Sequence, residues 1–280
     1  MDAGKVLLFL LTLLTLPFFA NGQQGVGTYL GDESAFYAST KQVNQFFRRF
    51  NSEEDEEGNR IYADSKKYHS PRLRKKYIEI LFDNETSSLD KALKEIFIEE
   101  VTDAVNPIYL DFHGGEWFAE VHTRFVYKGK DSPAILFMQL QEEPVGSKWV
   151  IDRVYFEPFN KLFKEKTNKE GKFLHPLSHE LDFMNLNKIF ERRDEIELYT
   201  GKHYKPDHLS LMLLEVKRGN LSFVTIKNVK FHFFQIDNWY FELSEFNRKG
   251  YNTGWLISNL AKLDQKQKES YKKYIFFEND

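Results

Sequence analysis

The sequence predicts an α+β fold built of two cone-like domains, each with helices packed on a curved antiparallel sheet. Three observations predict it. Strand-like segments arrive in threes: Trp117–Tyr127, Ala134–Gln141 and Lys148–Phe156, then Leu221–Ile236, Trp239–Phe246 and Gly254–Leu263. Short connections rich in turn formers, such as 128–133 and 142–147, join them, and these favour antiparallel neighbours because a parallel return needs a much longer crossover. Amphipathic helical patterns precede each set, and each final strand opens on a tryptophan, Trp149 or Trp255.

The first element in the chain is a targeting segment, residues 1–22. Lys5 gives it a positive start, Val6–Leu16 is apolar, and Ala20-Asn21-Gly22 places small residues at a cleavage site. The apolar run is short for a membrane span and polar Gln23-Gln24 follows, so no stable membrane insertion is expected once the leader is removed. Localisation is read as exported, periplasmic or extracellular. The absence of cysteine excludes a lipobox lipoprotein and disulfide stapling, which fits a bacterial envelope. A net charge of −3, from 39 basic and 42 acidic residues, supplies no global field for nucleic acid, and no nucleic-acid partner is expected.

The first domain is placed at 23–159. Ser34–Phe50 carries Phe36, Val43, Phe46, Phe47 and Phe50 at helical spacing, Pro71–Phe82 follows with proline at a tolerated early position, and Ser88 or Asp90 caps a third helix. Ile108–Phe112 reads as a short strand before the main sheet. In Trp117–Tyr127, Trp117, Ala119, Val121, Thr123, Phe125 and Tyr127 share a dry face, while Phe118, Glu120, His122, Arg124 and Val126 share the other. Residues 160–174 form a polar linker. The second domain, at 175–263, repeats the order with helices at Leu181–Arg193 and Asp207–Lys217, and 264–280 reads as a charged C-terminal tail.

Helices first, then a bent antiparallel sheet whose last strand opens with Trp149-Val150-Ile151 or Trp255-Leu256-Ile257, resembles the nuclear transport factor two-like family, the cystatin-like α+β cone. Residues from about Ala35 to Phe159 are similar to that pattern, and those from His175 to Leu263 resemble a shorter copy. The resemblance implies a pocket, where there is one, between the concave sheet face and the helices. It covers enzymes such as isomerases and dehydratases as well as non-catalytic binding modules, so fold alone does not choose among them.

Candidate site residues are His122, Glu120 and Asp111 for catalysis, and Tyr109, His113 and Arg124 for ligand binding. Glu120, His122 and Arg124 alternate on one strand face and can form a carboxylate–imidazole–guanidinium row with His122 as general base. A solvated charged ladder accounts for the same pattern. No metal site is expected: His175 and His179 have an i, i+4 spacing but lack the intervening Glu, and Pro176 interrupts the helix. No phosphate loop, serine elbow or cysteine nucleophile is present, and no cofactor is expected. The expected function is an exported, non-catalytic binding or assembly module for a small molecule or an envelope protein, with a possible dimer. The alternative is a small-pocket hydrolase or isomerase using His122 with Glu120 or Asp111.

Overall fold

The computed structural model describes residues 43–55, 58–85, 89–162, 190–191, 196, 199–201, 204–248 and 252–278. The leader at 1–22, the linker beyond Leu162, the His175–His179 pair and all but two residues of the helix expected at Leu181–Arg193 lie outside the described residues.

Helix α1 covers 43–51 and buries Val43, Phe46, Phe47 and Phe50 along one stripe, as the three- and four-residue spacing of its apolar side chains requires. Helix α2, Pro71–Ile80, starts on its proline. Helix α3, Lys91–Val101, is capped by Asp90, whose side chain accepts from the Ala92 N–H. The segment expected as a strand at Ile108–Phe112 is instead an extended connection outside the sheet. Buried Asn51 pins it through both amide atoms, donating to the Leu110 carbonyl at 2.9 Å and accepting from the Leu110 N–H at 2.9 Å. The Leu110 backbone groups are thus satisfied without a ladder partner.

Strands β1, Trp117–Tyr127, β2, Lys130–Glu143, and β3, Gly146–Tyr155, form a meander. Lys128 (φ 48°) and Gly129 (φ 80°) turn β1 into β2 with left-handed backbone at both positions, the two-residue hairpin geometry that matches strand twist. Pro133 is tolerated inside β2 because β3 pairs only from Ile135 onward, leaving that end with one neighbour. A short helix α4, Glu157–Asn160, follows. Helix α5, His208–Lys217, then leads into β4, Leu221–Phe233, β5, Trp239–Phe246, and β6, Gly254–Lys262.

The two meanders do not form separate sheets. β1 pairs antiparallel with β4 along its whole length, from Trp117↔Phe233 to Tyr127↔Leu221, giving one six-stranded antiparallel sheet in the order β3-β2-β1-β4-β5-β6. The reason is the amount of paired backbone: the first strands of both meanders are the longest unpaired edges, and joining them satisfies most of the ladder groups they carry, with two bulges on the β4 side at Lys227 and Val224. At the β6 edge, Leu81–Asp83 closes the sheet through Ile257, whose N–H donates to the Leu81 carbonyl at 2.7 Å.

The sheet is strongly bent. Trp149 on β3 and Trp255 on β6 both approach Phe231 on β4, with ring centroids 6.0 and 4.7 Å away. In a flat sheet β3 lies three strand spacings, roughly 14 Å, from β4, so its side chain reaches Phe231 only across a concave surface. That inner face holds the main core. Trp117, Phe231, Phe233, Phe241 and Trp255 meet Phe46, Phe47 and Phe97 of the helices, and one cluster of buried residues draws on both halves. Thr123, the one polar residue of β1 on this side, is buried and donates its hydroxyl to the Ala134 carbonyl at 2.7 Å.

Residues 264–280, expected as a charged tail, carry helix α6, Gln265–Ile275, which packs on the opposite, outer face. Asp264 and Gln267 form a reciprocal capping box at its start. Lys268 is buried, with its ammonium donating to the Phe234 and Ile236 carbonyls at 2.8 and 2.6 Å. A second core of Phe118, Phe137, Phe234, Tyr240 and Ile275 lies under the helix.

Candidate functional site

The outer face beyond α6 brings Glu120 and His122 together. Strand alternation sends both to this side, and the β1–β4 register sets Glu120 opposite Lys230 and next to His232. Glu120 accepts from His122 Nε2 at 2.5 Å on one carboxylate oxygen and from His232 Nε2 at 2.7 Å on the other. His232 is buried, and its Nδ1 lies 2.8 Å from the Tyr240 hydroxyl. Burial, followed by the charge of Glu242, raises the Tyr240 pKa, so its phenol stays protonated.

Burial pushes the Glu120 carboxyl up, but the hydrogen bonds from His122 and His232 outweigh it and bring it down to about 2. Glu120 is therefore an anion across the whole working pH range, with both oxygens occupied. A general base is most effective with a pKa near the operating pH, and this carboxylate is far from it. His122 is the open end of the chain, with 38% of its side chain exposed. Beside the row, Glu242 is paired with Lys230 Nζ at 3.1 Å and accepts from Ser258 Oγ at 3.2 Å.

The other candidates do not join this row. Arg124 turns to Asp131 at 3.5 Å. Asp111 closes a local turn, accepting from the His113 N–H at 2.9 Å, and its carbonyl accepts from Gln235. Tyr109 covers the guanidinium of buried Arg74 at 4.3 Å and stacks on His69 at 4.2 Å, a packing role. His113 lies 3.1 Å from Ser147 Oγ and lines a cavity of about 300 Å³ with Phe118, Arg153, Lys272 and Phe276. A second cavity, about 260 Å³, opens on the concave side between α1 and the β5–β6 hairpin, where Gln45, Arg49, Glu245 and Trp255 line it. Glu120 and His122 line neither. Among the described residues no cluster of three or more His, Cys, Asp or Glu is arranged to hold a metal ion.

His232 and Tyr240 are the members of the row that the sequence left unassigned. His232 sits between Phe231 and Phe233 in a strand of apolar texture. Its signal was the alternation Lys230, His232, Phe234 against Phe231, Phe233, but the partner across the sheet follows only from the pairing of β1 with β4. Comparison of the chain with protein-family models, with curated proteins and with solved structures finds no match in any of the three.

Proposed function

We propose that the protein is an exported, non-catalytic binding or assembly module, and that Glu120, His122, His232 and Tyr240 form a structural hydrogen-bonded row rather than catalytic machinery. The observation that carries this reading is the placement of Glu120 and His122: both lie on the face opposite the concave side and line neither cavity, and the Glu120 carboxylate is paired on both oxygens. Side chains diverge on a convex face, whereas a catalytic constellation needs convergence on a sheltered substrate. Export rests on the Lys5, Val6–Leu16 and Ala20-Asn21-Gly22 pattern. The tandem-cone relationship of the halves belongs to the same proposal. It is supported by the mirrored strand order, in which each helix-led meander runs outward from a shared central pair. The ligand classes are a small molecule or an envelope protein, with a dimer among the possible assemblies.

The enzyme reading, a hydrolase or isomerase using His122, is favoured by one observation, the 2.5 Å contact that orients His122 on Glu120. Assaying the parent and His122→Ala side by side against ester, phosphate and glycoside substrates separates the two. The module reading expects no turnover that depends on His122. Parental activity abolished in a folded His122→Ala chain establishes the enzyme instead.

A further inference from the structure

The cavity of about 260 Å³ on the concave side indicates what such a module takes. Along β5, Trp239, Phe241 and Leu243 alternate into the buried inner core, and the next position on that face is Glu245. A carboxylate therefore stands where the pattern calls for an apolar side chain. Its cross-strand partner is Trp255, on the same face. From the facing helix, Gln45 and Arg49 lie four residues apart on one side of α1 and line the same cavity, with Phe46 between them.

The charges around this cavity do not cancel. Arg49 Nε lies 3.3 Å from buried Glu54, but that carboxylate already holds Arg48 Nε at 2.7 Å, so two guanidinium groups share one anion. Arg49 Nε is buried and makes no hydrogen bond. Among the described residues Glu245 makes neither a side-chain hydrogen bond nor an ion pair, and Arg49 does not reach it. A surplus cation and an unpaired anion thus line one small cavity without meeting, beside the apolar surface of Phe46 and Trp255.

We infer that this cavity binds a small zwitterion, an α-amino acid with an apolar side chain, its carboxylate on Arg49, its ammonium on Glu245 and its side chain against Phe46 and Trp255. The inference rests on the binding-module reading and names the ligand. Size sets one limit: the volume is about nine water volumes, room for one molecule of roughly ten heavy atoms. Charge sets the other. A guanidinium presents a planar pair of donors to a carboxylate, and an ammonium presents its donors to Glu245, so one ligand makes both charge-assisted contacts. A ligand carrying only one of the two charges leaves the other protein group unpaired, which is the basis for selectivity.

The test titrates the full chain with L-leucine, and separately with L-phenylalanine, to about 10 mM, following the Trp255 indole N–H resonance by NMR. The amide of each amino acid, which lacks the carboxylate, and the N-acetyl form, which lacks the ammonium, are the controls. The parent is expected to bind at least one of the two amino acids, and to bind its blocked forms about tenfold more weakly. Arg49→Gln is expected to lose about tenfold for the free amino acid and to make no distinction between it and its amide. Glu245→Gln is expected to lose a similar factor and to make no distinction between the free amino acid and its N-acetyl form. Glu245 is exposed, so this second arm stands even where Arg49→Gln does not fold. No shift at Trp255 with either amino acid, or losses in the variants that ignore which charge the ligand carries, overturns the inference. Turnover that depends on His122 overturns the module reading instead and leaves these affinities as measured, so the two failures are distinguishable.

Discussion

At the scale of single residues, burial separates side chains that the sequence presents as equivalent. Trp149 and Trp255 open the last strand of each meander and look like matched anchors. Trp255 is 3% exposed, whereas Trp149 is only partly buried, because β3 is the sheet edge while Leu81–Asp83 covers the β6 edge. Trp255→Ala is expected to cost about 3–5 kcal/mol, the range for emptying a large aromatic site, and Trp149→Ala distinctly less. Urea unfolding of both variants checks this, and equal losses would show that the edge is covered. The face assignment within β1 was legible from alternation alone, since Trp117, Ala119, Val121 and Phe125 are all buried. The same alternation set His122 beside Glu120, but the partners of Glu120 across the sheet were not legible. They come from a strand more than a hundred positions away, whose register no local pattern encodes.

At the scale of elements, strand identities were readable because turn residues punctuate them. Trp239–Phe246 has the bounds its alternation indicates, and Gly254 opens β6. The C-terminal helix was hidden by its composition. Between Gln265 and Ile275 the lysines suggest a solvated tail, and the inward positions are Lys268, Tyr271 and Ile275, of which only the last is plainly apolar. Lys268 behaves as an anchor: its stem is buried, its ammonium serves two carbonyls at the end of β4, and burial lowers its pKa. Lys268→Met keeps the stem and orphans both acceptors, an expected cost of about 1–3 kcal/mol. Thermal unfolding reads the loss, and an unchanged midpoint would mean that α6 does not depend on this contact.

At the scale of the whole molecule, the β1–β4 seam decides the architecture. Two meanders, each short of a neighbour for its first strand, satisfy one another and share a single concave core, and bending that sheet leaves its convex face for polar rows and for α6. The fold class follows from patterns within each half. The fusion of the halves follows from a pairing between them, which is why the sequence read as two units. The same geometry places Glu120 where it stabilises the fold. Its pKa, lowered from an ordinary 4.5 to about 2, means that the folded chain binds fewer protons at this carboxyl than the unfolded chain between those values. Its contribution, about 3 kcal/mol, is fully present above pH 4.5 and is lost as pH falls towards 2.

The titration of Glu120 itself, followed through its side-chain carboxyl carbon resonance by NMR and assigned with Glu120→Gln, tests most directly the claim that this carboxylate is a permanently ionised partner in the row and not itself a general base. The structural row predicts a carboxylate that stays ionised down to about pH 2. A Glu120 that titrates near neutral pH, where a general base operates, would contradict it.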